Sequence, residues 1–126
     1  MDEYLKLKTG LEMILKTFEM RYEYDGSGRL FDVLGDGILP QFVLGRAVEG
    51  CVWRFRVDLE SHLVNRIARL AAREPGFPIA GKTQGRPPER LAAIERLFSP
   101  EAVNFDTRHE VLTQNGVSIA EIWTLP

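Results

Sequence analysis

The strongest constraint in the chain is the pair Asn115-Gly116, set between two runs of alternating character, RHEVLTQ and VSIAEIWTL. A two-residue hairpin turn needs positive φ at its centre, which asparagine and glycine tolerate best, so these runs are predicted to fold back on each other as a hairpin over 108–125. Similar punctuation occurs twice earlier. Phe18, Met20, Tyr22 and Tyr24 alternate with Glu19, Arg21, Glu23 and Asp25, and Asp25-Gly26-Ser27-Gly28 turns the chain into RLFDVL, residues 29–34. After a loop marked by Gly35, Asp36, Gly37 and Pro40, QFVLGRA (41–47) and CVWRFRV (51–57) flank Glu49-Gly50. Links this short cannot join parallel neighbours, so residues 18–57 read as two consecutive antiparallel hairpins. Within 51–57, Cys51, Trp53, Phe55 and Val57 share one face, while Val52, Arg54 and Arg56 share the other. That spacing turns the apolar face to a core and the arginines to water.

Helical spacing fills the remainder. Leu5, Leu11, Ile14 and Leu15 predict a helix over 2–17, with Thr9 as a candidate N-cap within it. Asp58 is placed to cap a helix over 58–73, whose buried stripe is Leu59, Leu63, Ile67, Leu70 and Ala71 and whose opposite face carries His62, Arg66, Arg69 and Arg73. Residues 74–86, with Pro75, Pro78 and glycines, form a long connection. Pro87 and Pro88 open a third helix over 87–98, with Leu91, Ile94, Leu97 and Phe98 inward. The expected architecture is a single α+β domain: a mostly antiparallel sheet of about six strands in hairpins, with about three helices packed on one face.

Composition bounds what such a domain can do. With 126 residues, 44% of them hydrophobic, the chain can build a real core without metals or disulfides. The formal charge of −2 gives no whole-domain drive toward nucleic acid or an anionic membrane. No run approaches the roughly 20 apolar residues of a membrane span, and charges interrupt the first apolar run before it can serve as a signal peptide. Together with a single cysteine, Cys51, this makes a reducing cytoplasm the expected compartment.

Motifs that carry chemistry are sparse. Gly76-Phe77-Pro78-Ile79-Ala80-Gly81-Lys82-Thr83 matches GxxxxGK[ST] letter for letter, yet a phosphate loop must leave a buried strand and enter a helix. Here a helix precedes Gly76, and Gln84, Gly85 and two prolines follow Thr83, so Gly76, Gly81, Lys82 and Thr83 are read as a false match. His62 and His109 lack metal-ligand spacing, and no metal or other cofactor is expected. Asp32, Asp36, Glu110 and Glu121 are available as acid/base groups, but their spacing does not distinguish them from surface carboxylates. Cys51 opens an apolar face, where a buried and unreactive thiol is expected. The basic stripe Arg66, Arg69 and Arg73 either grips an anionic partner or is a solvated helix face.

The order DGSGRL, PQFVLGRAVEGCVWRFRVDL, a helix ending in LAAREP, then PPERLAAIERLF resembles the N-terminal region of certain bacterial GNAT acetyltransferase superfamily proteins. It spans Phe18 to Phe98 and rests on Leu44, Gly45, Arg46, Gly50, Val52, Trp53, Arg54, Phe55, Arg56 and Asp58. The [RQ]xxGx[GA] motif that holds acetyl-CoA in that superfamily is missing, since Gln41-Phe42-Val43-Leu44 places leucine where glycine is required. The resemblance therefore implies an appended, non-catalytic module, able to associate with an acetyltransferase core. The expected function is ligand or protein binding, with Arg46, Trp53, Arg54, Arg56, Arg66 and Arg69 as binding residues and a homodimer left open. Two alternatives stand beside it: a small acyltransferase-like enzyme with a cleft near residues 74–86, and a nucleic-acid-binding domain. The second requires Arg54, Arg56, Arg66, Arg69 and Arg73 to converge on one surface.

Overall fold

A computed structural model describes residues 9–76, 88–98 and 107–126. The element order is α1 (Gly10–Arg21), β1 (Tyr22–Tyr24), β2 (Leu30–Val33), β3 (Phe42–Ala47), β4 (Gly50–Phe55), α2 (Ser61–Ala71), α3 (Leu91–Phe98), β5 (Arg108–Gln114) and β6 (Val117–Leu125). This is the α+β class that the alternating runs imply, with antiparallel strands divided between two sheets. Gly81, Lys82 and Thr83 of the apparent phosphate loop, and most of the 74–86 connection, lie outside the described residues.

Thr9 caps α1 reciprocally: its Oγ1 accepts from the Glu12 amide at 3.1 Å, and the Glu12 carboxylate accepts from the Thr9 amide at 3.4 Å. Two amides that no helical carbonyl can reach are thereby satisfied. Thr9→Ala is expected to cost about 1 kcal/mol, read as a lower midpoint in urea with an unchanged slope.

The first departure from expectation lies at the end of α1. Residues 18–21 continue the helix, and only Tyr22–Tyr24 is strand. Ile14, Phe18 and Tyr22 stand four apart, so the residues that alternate with period two also continue a helical stripe, and burial of Ile14 and Phe18 under the sheet decides for the helix. The β1–β2 hairpin that follows closes over Asp25. Its Oδ1 accepts from the amides of Ser27 and Arg29, each at 2.9 Å, and these hydrogen bonds, that from the Ser27 hydroxyl foremost, hold the carboxyl below its ordinary range.

The larger sheet has the order β4-β3-β6-β5, antiparallel throughout, and β1–β2 forms a separate two-stranded sheet. The C-terminal hairpin thus inserts beside β3, with Gly45 opposite Ile122 on one side and Val52 on the other. Its turn falls at Asn115 and Gly116, both at positive φ. All six residues of β3 are buried, so both sheet faces need cover and the helices cannot share one side. Phe42, Leu44, Trp123 and Leu125 meet Ile67 and Ala71 of α2 and Leu91 and Ile94 of α3. On the reverse, Val43, Ala47, Ala120 and Ile122 meet Ile14 and Phe18 of α1, together with Leu30 of the small hairpin. Gly45 is where α1 comes closest: a Cβ there would stand 2.5 Å from Ile14 Cγ2.

The helices α2 and α3 start later than their sequence signals. Asp58 does not cap α2; it accepts from Arg56 Nε at 2.6 Å, and the N-cap position falls at Glu60, without a side-chain capping bond. The α3 helix begins at Leu91, and the amides of the two residues before it, Glu89 and Arg90, are taken up by Glu74. No helix of the described residues is long and apolar enough to cross a membrane.

Candidate functional site

The α2 helix buries Val64, Ile67 and Ala71 and leaves Arg66 and Arg69 on its outer side, with Arg73 following in the turn just beyond its end. Beside them α3 presents Ala93 and Leu97. The two helices enclose a groove of about 330 Å³, with Leu70, Ala93 and Leu97 as its apolar floor and Arg66, Arg69 and Arg73 along its rim. None of the three guanidinium groups has an ion-pair partner among the described residues. The groove is therefore cationic and apolar together, a pairing that suits an anion carrying a hydrophobic group.

A buried ion network ties the sheet to the end of α2 and to the turn that leads into α3. Arg46, on the α2/α3 side of β3, is 5% exposed, and its register partner Glu121 on β6 is fully buried. Arg46 Nε donates to Glu121 Oε1 at 2.6 Å, Nη2 pairs with the same oxygen, and Nη1 lies 3.5 Å from Glu74 Oε1. Glu74, just beyond α2, also accepts from the amides of Glu89 at 2.7 Å and Arg90 at 2.9 Å. It thus places a carboxylate at the positive end of α3. Arg90 returns the contact by donating from Nη1 to the Arg73 carbonyl at 2.8 Å. Finally, His109 Nε2 lies 2.7 Å from Glu121 Oε2, and its ring stacks on Trp123 at 3.9 Å with 16° between the planes. From β5 to the start of α3, each charged group has an oppositely charged or hydrogen-bonding neighbour, as buried charges require.

The sequence-derived candidates divide among three places. Arg66 and Arg69 line the groove. Arg46 belongs to the buried network, where its guanidinium is inaccessible to a partner. Trp53 is half-buried against the α2/α3 core. Arg54 and Arg56 do not face open water as their alternation suggests. Arg54 lies 6.0 Å above the Tyr24 ring and donates to the Trp53 carbonyl, while Arg56 is held by Asp58 and the Leu39 carbonyl. The small hairpin has folded over that face of β4. The five arginines consequently divide between opposite sides of the sheet and do not form the single basic surface that the nucleic-acid alternative requires.

Cys51 lies opposite Arg46 in the β3–β4 register, and its thiol contacts the Glu74 and Pro75 carbonyls at 3.5 Å. Burial pushes the thiol up to about 11, so it stays protonated at neutral pH and is a poor nucleophile. Gly76 rests against the β3–β4 turn, where a Cβ would stand 2.6 Å from the Ala47 carbonyl oxygen. The chain reaches it from α2, as the sequence indicates, and not from a buried strand. Among the described residues no cluster of three or more histidine, cysteine or carboxylate side chains is arranged to hold a metal ion.

Sequence reasoning passed over Glu74 and the coupling of Arg46 to Glu121. A signal for the pair was present: Arg46 follows Phe42 and Leu44, and Glu121 precedes Trp123 and Leu125, so each strand carries one charge on an otherwise apolar face, with opposite signs. Glu74 offers no comparable signal, because the amides it serves lie about fifteen residues away. Searches of family models, curated proteins and solved structures find no match to this chain.

Proposed function

We propose that this chain is a non-catalytic protein-binding module that takes an acidic, partly apolar segment of a partner along the α2/α3 groove. The observation that carries the reading is the row of guanidiniums at one-turn spacing over an apolar floor, without an ion-pair partner among the described residues. A helix or extended segment with acidic residues at matching intervals would meet Arg66, Arg69 and Arg73 in turn, while a leucine or phenylalanine side chain filled the space above Leu70 and Leu97. The buried ion network supports the same reading, because it ties the end of α2 to the turn that leads into α3 before a partner arrives and so lowers the ordering cost of binding. An acetyltransferase core, on the same chain or a companion, is the first partner to try, in line with the resemblance over Phe18–Phe98.

The test is a fluorescence anisotropy titration with a labelled amphipathic peptide that carries glutamates and leucines at helical spacing. Saturable binding is expected, with loss of at least about tenfold in the Arg66→Gln, Arg69→Gln, Arg73→Gln triple variant, since each charge-assisted contact contributes about 1 kcal/mol or more. Equal affinity in the triple variant would overturn the proposal. Saturable heat with acetyl-CoA in calorimetry would favour the enzyme alternative. A mobility shift on nucleic acid that weakens steeply with salt would favour the third.

A further inference from the structure

A second cleft, of about 360 Å³, lies on the reverse side of the sheet. α1 and the small hairpin cover the centre of that face, and the cleft lies at the corner near Arg108 and Thr124, beside the 34–40 loop. Arg21, from the last turn of α1, and Glu110, on β5, stand in its wall as a bidentate pair, with Nη2 to Oε2 at 2.7 Å. That hydrogen-bonded pairing holds the Glu110 carboxyl below its ordinary range, so at neutral pH the pair is fully ionised and internally neutral.

Two further charges line the cleft, and they are of opposite sign. Arg108 projects from β5, which with β6 forms one wall, and Asp36 belongs to the loop that forms the other. Among the described residues neither has an ion-pair partner. Asp36 is flanked by Gly35 and Gly37, both at positive φ, so the loop bends sharply on either side of it. Leu34 and Ile38, on the same loop, are 48% and 81% exposed and give the rim an apolar lip. The phenol of Tyr22 and the hydroxyl of Thr124 add neutral hydrogen-bonding groups.

We propose that this cleft is a binding site for a small zwitterion with an apolar side chain, of the α-amino-acid class. The charges decide the class. A zwitterion can pair its carboxylate with Arg108 and its ammonium with Asp36 at once, whereas a simple anion or cation engages only one of the two. The apolar lip of Leu34 and Ile38 selects for a hydrocarbon side chain, and the volume suits a ligand of leucine or phenylalanine size. The carboxylate is assigned to Arg108 and the ammonium to Asp36.

The experiment is an NMR chemical-shift titration of the folded protein with leucine, N-acetylleucine and leucinamide. Leucine is expected to produce saturating shifts at residues 33–38 and 108–110. N-acetylleucine, which has lost the cation, and leucinamide, which has lost the anion, should each bind at least about tenfold more weakly. Arg108→Gln and Asp36→Asn should each weaken leucine binding by a similar factor; both side chains are exposed, and an unchanged reference spectrum confirms that the fold is retained. Absence of saturation by about 10 mM leucine, a range in which even millimolar affinity would be visible, overturns the proposal. So would equal binding of the two blocked analogues, or leucine binding that survives both substitutions. The peptide-binding groove takes no part in these measurements, so the two readings stand or fall separately.

Discussion

Arg46→Ala is expected to lower the free energy of unfolding by about 3–5 kcal/mol, as for removal of one partner from a buried ion pair. The loss comes less from the missing attraction than from what remains: Glu121, fully buried, and Glu74, nearly so, would face each other with their shared cation gone. Urea denaturation followed by far-UV circular dichroism gives the magnitude. A second variant separates electrostatics from packing. Arg46→Met combined with Glu121→Leu removes both charges while keeping side-chain volume, and should recover much of the stability lost in Arg46→Ala, because an apolar pair of similar size replaces a buried ion pair at little cost. A cost below about 1 kcal/mol for Arg46→Ala would show that the network does not hold the sheet to the end of α2.

Gly45→Val is expected to destabilise by about 3 kcal/mol, at the upper end of the range for overpacking. Gly45 is the point on β3 where α1 lies against the sheet, and even a first carbon would fall 2.5 Å from Ile14 Cγ2 and 2.9 Å from its Cδ1. The side chain of Ile14 is itself fully buried and cannot swing aside. A compensating change gives the check: Ile14→Ala in the Gly45→Val background should restore part of the stability, whereas Ile14→Ala alone should cost about 2–5 kcal/mol as a core truncation. Purely additive losses in the double variant would show that the two residues do not compete for the same space.

How much of this was legible beforehand depends on whether the determining contact was local. The Asn115-Gly116 turn and the Thr9 cap are written within a few residues and appear where the residue types place them. The end of α1 was ambiguous because Phe18 and Tyr22 satisfy both a period of two and a period of four, and only the sheet beneath α1 chooses between them. The insertion of the C-terminal hairpin beside β3 is a long-range event, with Gly45 paired to Ile122, and no local pattern could announce it. Its cue lay in QFVLGRA, whose apolar residues occupy both faces of the strand and call for cover on each. The groove was half legible: the arginine stripe of α2 stands out in the sequence, but Leu97 and Ala93 join it only once α3 has docked. Arg46 was singled out for an accessible role and lies instead in the interior, because its counter-charge sits 75 residues later on β6.

The way the chain is held on its entry into α3 has a consequence for local stability. α1 carries its own cap in Thr9 and Glu12, with one further first-turn amide, that of Leu11, taken up by Glu49 beside the β3–β4 turn. The turn that leads into α3 is held instead by Glu74, just beyond the end of α2, which accepts from the amides of Glu89 and Arg90. Lifting the end of α2 from the sheet would therefore strip hydrogen bonds from the turn that starts α3 in the same movement. The two helices should open as one cooperative unit, with closely matched amide-exchange protection, while α1 exchanges on a schedule of its own.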